Sequence, residues 1–178
     1  MITKPAQNQY PEYYQKYIDK VPDGNILEIF KANKAKNIEL LSTLSDKQAE
    51  HRYAEGKWII KEVLGHIIDT ERIFACRVLR MARNDKTNIP QYDHDVYVTE
   101  AKFDNFSISN LIEQYKVLGN STLSLFNSFD EESWERVGIS GGKEFIVKCF
   151  PYILAGHELH HFGVLKEKYL LGFSNDKK

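Results

Sequence analysis

Four long stretches of this chain repeat apolar residues with the 3.6-residue period of an α-helix, and little alternates with the period of two that a strand requires. Helices with one apolar face must bury it against other helices, so the pattern confines the chain to helix-on-helix packing. The first stretch runs from about Ile26 to Leu44, behind a turn cluster at Pro22-Asp23-Gly24-Asn25 that can cap it. Residues 11–18 predict a short lead-in helix, and Ser45-Asp46-Lys47-Gln48 a weaker helix start. The second stretch spans Trp58 to Ala82. There Ile59, Val63, His66, Thr70 and Ile73 recur at spacings of four and three and share one face, which Ile60, Leu64, Ile67, Phe74 and Val78 widen. Glu62, Arg72, Arg80 and Arg83 mark a wetter side.

The third stretch runs from Ser109 to Phe129, with Leu111, Tyr115, Leu118, Thr122, Leu125 and Phe129 inward, and residues 131–134 add one turn. Residues 138–142 read as a flexible turn. The fourth stretch runs from Val147 to Leu171 and ends near Gly172, with Pro151 in its first turn or at a bend. The expectation is an all-α four-helix bundle, one domain over residues 1–178, with a frayed tail at 174–178. One connection breaks the short-loop habit of bundles: the two dozen residues between Asn84 and Ile108. They form a functional binding loop, a short extra helix over Asp95 to Lys102 that plugs one end of the bundle, or both at once.

Twenty-four basic against 25 acidic side chains give a net charge of -1, so no global positive field recruits nucleic acid or an anionic membrane surface. No apolar run approaches the ~20 residues of a membrane span, and the first residues lack the apolar core of a secretion signal. A cytoplasmic location is expected. Cys76 and Cys149 fall in helical stretches and read as reduced, buried thiols.

Three histidines carry the chemistry. His157 and His161 are four apart on the inward stripe of the fourth helix, and His66 lies on the inward stripe of the second. An unpartnered buried imidazole costs a few kcal/mol of lost hydration. A shared metal removes that cost for all three, and neutral imidazoles suit Zn, Ni, Fe and Cu with coordination positions left open. The competing reading is a set of core histidines bonded to backbone carbonyls. Asp69 and Glu158 are either acceptors behind the imidazoles or outward charges; His160 is rotated off the shared face, exposed or hydrogen-bonded, and His51 is on the surface. His157-Glu158-Leu159-His160-His161 also fits the zinc-peptidase string H-E-x-x-H. No further His follows it and no substrate-binding sheet is expected, which disfavours a peptidase. Gly141-Gly142-Lys143 is not a phosphate loop, because position 137 is Val and position 144 is Glu.

The stretch from Gly56 to Arg72 resembles the second helix of the DinB-like superfamily, and Ala155-Gly156-His157-Glu158-Leu159-His160-His161 resembles its fourth-helix motif. Tyr13 to Ile18, Ala82 to Asp85 and Pro90 to Asp93 extend the likeness to the YfiT-like, bacillithiol-transferase-like branch. The resemblance implies a divalent metal, usually Zn or Ni, on His66, His157 and His161, and a homodimer. It implies a transferase that adds a low-molecular-weight thiol to an electrophilic small molecule. The alternatives are a hydrolase that activates water at the same site and a non-catalytic metal-binding stress-response module. His94 stands where relatives tend to have Gln, so it and Tyr92, both in the long connection, are the expected substrate-binding residues; His94 could also reach the metal.

Overall fold

The computed structural model describes residues 2–170. A 3-10 turn at Glu12–Tyr14 leads into α1 (Gln15–Ile18), followed by α2 (Ile26–Leu41), the single turn α3 (Asp46–Ala49) and the long α4 (Ile60–Ala82). The chain continues through α5 (His94–Ala101), α6 (Ile108–Asn127) and α7 (Glu131–Glu135) to a hairpin of β1 (Val137–Ser140) and β2 (Lys143–Ile146). It closes with α8 (Cys149–Val164), which passes into a π-helical turn at Leu165–Tyr169. Local chemistry sets the starts. The side chains of Asn25, Ser45, Asp93, Ser107 and Asp130 accept backbone N–H groups at the heads of α2, α3, α5, α6 and α7. At α4 the cap Ile59 has no acceptor, and the Glu62 carboxylate instead reaches back to the Ile59 N–H at 2.7 Å.

In the bundle α2 packs on α6 and α8, and α4 packs on the same two, so each helix has two neighbours. The apolar core falls into two parts. One gathers Phe30, Phe74, Phe126, Trp134, Phe150 and Ile153; the other gathers Leu41, Leu64, Ile67, Leu111, Tyr115 and Phe162. On every bundle helix a buried polar residue lies in sequence between the two parts: Lys34, Glu71, Thr122 and Glu158. Among the described residues no helix is long and apolar enough to cross a membrane.

The expected bundle is present, with three corrections. Residues 138–142 are not a flexible turn but the middle of the hairpin, whose register pairs Val137 with Ile146 and Ser140 with Lys143. Gly141 and Gly142, at φ of 58° and 74°, supply the two positive angles that a two-residue hairpin turn needs. Strands of four residues are too short to show alternation. Cys76 is exposed rather than buried, because it shares the wet face of α4 with Arg72 and Arg83; Cys149 is buried. Within α6, Leu118 and Leu125 are half-buried while Phe126 fills the core. The long connection takes the helical alternative, as α5 and the 3-10 turn Phe103–Asn105 pack against α4 with Val98 and Phe103 buried. Pro151 sits in the first turn of α8. The expected helix end at Leu171–Gly172 and the tail at 174–178 lie outside the described residues.

The short α1 lies across α8 because Gly156 lets it. A Cβ at Gly156 would stand 2.0 Å from the backbone oxygen of Tyr17. Gly156→Ala should therefore lower stability by about 1–3 kcal/mol, read as a fall in the urea midpoint. Gly163→Ala, in the same helix with open space around the new methyl, should raise it by up to about 1 kcal/mol.

Candidate metal centre

His66 projects from α4 and His157 and His161 from α8, and their ring nitrogens form one group within 4.8 Å of one another. His157 Nε2 lies 3.1 Å from His66 Nε2 and 3.0 Å from His161 Nε2. His66 and His157 are buried and His161 is half-buried. Burial, with the neighbouring His94, pushes His66 down to about 4. Burial and the facing His66 push His161 down to about 3. His157 is driven well below its ordinary value, by burial first and then by His161 and His66. All three rings are thus neutral at physiological pH, the state in which imidazole ligates metals.

The donor set fits a cation. A ring nitrogen has either one N–H or one in-plane lone pair, so His157 Nε2 cannot make good hydrogen bonds to both facing nitrogens. Nitrogens bound at about 2.0–2.1 Å to a single tetrahedral ion stand roughly 3.3 Å apart, close to the spacing found. Trp58 packs on His66 with ring centroids 5.0 Å apart, and Tyr17 on His157 at 5.3 Å. The nitrogens open onto a cavity of about 490 Å³ walled by Tyr14, Tyr17, Trp58 and Tyr92, and among the described residues no Asp or Glu lines it.

Of the other expected site residues, Tyr92 and His94 line this cavity. The Tyr92 hydroxyl is hydrogen-bonded to Thr70 Oγ1 at 2.8 Å. The His94 ring stands 5.6 Å from that of His66, centroid to centroid, but its nitrogens are outside the convergent group. His160 is half-buried against Tyr17 and His161, and His51 is exposed. Neither Asp69 nor Glu158 backs an imidazole: Asp69 pairs with Arg72 at 3.0 Å, and Glu158 Oε1 lies 2.5 Å from Lys34 Nζ. Lys34 also contacts Glu71 Oε2, and its ammonium lies 3.6 Å from the centroid of the Tyr115 ring. Burial raises the Glu158 carboxyl to about 7 against the pull of Lys34. The sequence reading missed this charge cluster, although Phe30, Lys34, Asn37 and Leu41 recur at spacings of four and three on the buried face of α2. A lysine on such a stripe is the signal.

The fold and site define a four-helix bundle with three converging imidazoles at the wall of a cavity. The profile of the DinB superfamily matches residues 29–165, and the chain belongs to that superfamily. A protein of Oceanobacillus iheyensis, named as a candidate metal-dependent hydrolase, is 22% identical over 129 residues, which are 72% of this chain and 74% of that one. YfiT from Bacillus subtilis, described as a probable metal-dependent hydrolase with an unusual four-helix bundle topology, superposes with a TM-score of 0.69 at 16% identity. That match covers 97% of this chain and 94% of YfiT. The mycothiol-dependent maleylpyruvate isomerase superposes with a TM-score of 0.66 at 10% identity over 82% of this chain, which spans 61% of that protein.

Two predictions follow from the site's charges. Lys34→Met leaves two buried carboxylates without their cation and should cost about 3–5 kcal/mol in chemical denaturation. Between about 4 and 6.5 the unfolded chain binds protons that folded His66 does not, so its contribution to stability rises with pH. Metal-free protein should lose up to about 1.4 kcal/mol per pH unit for each depressed histidine as pH falls from 6.5. His161→Gln should flatten that slope.

Proposed function

We propose that the protein is a metal-dependent transferase that adds a low-molecular-weight thiol, of the bacillithiol kind, to an electrophilic small molecule. The observation that carries the reading is the meeting of His66, His157 and His161 nitrogens at the wall of the cavity. A divalent ion, Zn or Ni, held there would favour anions at its open positions and deprotonate an approaching thiol. The chain's own part is to keep three imidazoles neutral through burial, to present them from two helices, and to shed water from the reacting end with Trp58 and Tyr17. Tyr92 and His94 would contact substrate, a role supported by the Tyr92 hydrogen bond to Thr70 and by the His94 ring beside His66 in the cavity wall.

Hydrolysis at the same centre is the second reading, suggested by the names of YfiT and the Oceanobacillus protein. Thiol transfer is preferred because no carboxylate among the described residues lines the cavity to shuttle protons for water attack and leaving-group departure. Glu158, the residue that the H-E-x-x-H string would make the base, is committed to Lys34 in the bundle interior. The mycothiol dependence of the isomerase neighbour supports a thiol partner by analogy. The family resemblance adds a cytoplasmic homodimer to the proposal.

Purified protein assayed with bacillithiol, glutathione or coenzyme A against a model electrophile should show thiol-dependent turnover. His157→Ala should lose metal and lower that turnover at least about 100-fold. Thiol-independent turnover would move the reading to hydrolysis, and full activity in His157→Ala would end it.

A further inference from the structure

The cavity has a second polar end that the His cluster does not use. Along α4 the residues His66, Thr70, Phe74 and Arg77 all line it. Eleven residues at about 1.5 Å each place Arg77 roughly 16 Å along the helix from His66, and at 3.6 residues per turn on the same face. Arg77 is only 4% exposed. Its Nη2 donates to the Pro90 carbonyl oxygen at 3.0 Å, and its guanidinium lies 5.2 Å from the Phe74 ring and 5.7 Å from that of Tyr92. Its Nε has no partner, and neither has Ser140 Oγ, a buried hydroxyl that also lines the cavity. Lys143, paired with Ser140 across the hairpin, adds a second cation at this end. Among the described residues Arg77 makes no ion pair and no Asp or Glu lines the cavity, so a permanently charged guanidinium is buried here without a carboxylate in contact, an arrangement that is costly unless a ligand supplies one.

We propose that Arg77, Ser140 and Lys143 seat the carboxylate of an elongated small molecule whose other end reaches the His cluster. Arg77 and Ser140 both line the cavity and each has a buried polar atom without a partner among the described residues, so guanidinium and hydroxyl can turn donors to a carboxylate, and the aromatic wall between the ends takes an apolar or planar body. The seat selects acidic substrates, or acidic thiols, over neutral ones of the same shape. The assignment of the reacting end rests on the function proposed above; the seat itself does not.

The test is binding, followed by Trp58 fluorescence, of ω-mercaptoundecanoate and ω-mercaptoundecanol to metal-loaded protein, and of undecanoate and undecanol to chelator-treated protein. In both pairs the carboxylate should bind about tenfold or more tightly than the alcohol. Arg77→Met should abolish the preference while leaving the alcohols unaffected. Ser140→Ala removes no internal hydrogen bond, so it should fold normally and reduce the preference several-fold. Equal binding within both pairs, or a preference undiminished in Ser140→Ala and Arg77→Met, would overturn the seat. If the undecanoate preference stands while neither thiol gains from the metal, the seat survives and the thiol reading fails.

Discussion

One lysine holds together the two helices on which the site depends. Lys34, from α2, is buried between Glu71 of α4 and Glu158 of α8, and those are the helices that carry His66 and His157. A buried ammonium tolerates little displacement from its carboxylates, because water cannot replace a lost contact there. The two ion pairs therefore fix how α4 and α8 are rotated about their axes. With Glu158 held against Lys34, the neighbouring His157, about 100° around α8 from it, is turned toward α1 and the cavity. Hydrophobic packing alone would set this rotation less sharply, since apolar side chains of similar volume exchange at modest cost.

The same constraint explains what could be read from the residues. Helix-period stripes gave the four bundle helices to within a few positions, and three imidazoles on two of those stripes gave the metal candidates. A histidine on an inward stripe must find a partner, and that need is visible in one dimension. The partners of Asp69 and Glu158 were not visible: Asp69, within one turn of His66, pairs with Arg72 on its own helix, and Glu158, next to His157 in sequence, lies about 100° around the helix from it. Glu158 accordingly answers to Lys34, more than a hundred residues earlier. The hairpin escaped notice because four-residue strands show no period, although the Gly141-Gly142 pair was a turn signal. Cys76 was misjudged for a related reason: a long helix that is mostly buried still has a wet face, and Cys76 is on it.

The site combines two kinds of incompleteness. At one end neutral nitrogens meet with too few protons to satisfy one another; at the other a guanidinium lies buried with no ion pair among the described residues. Both are resolved by something the chain does not itself contain, a cation in the first case and an anion in the second. Elsewhere in the interior a buried charge has an opposite charge beside it, as Lys34 has in Glu71 and Glu158. Converging imidazole nitrogens and a buried guanidinium at the wall of one cavity are what a binding site requires, and the tyrosines and Trp58 between its ends make the intervening wall aromatic.

The central claim is that imidazoles from α4 and α8 share a single ion. X-ray absorption at the metal edge of the protein as purified tests it most directly. The account predicts about one divalent ion per chain, with three imidazole nitrogens in its first shell and one fewer in His66→Gln. A metal-free protein that gains no ion when Zn or Ni is supplied, or a bound ion whose shell is unchanged in His66→Gln, would contradict it.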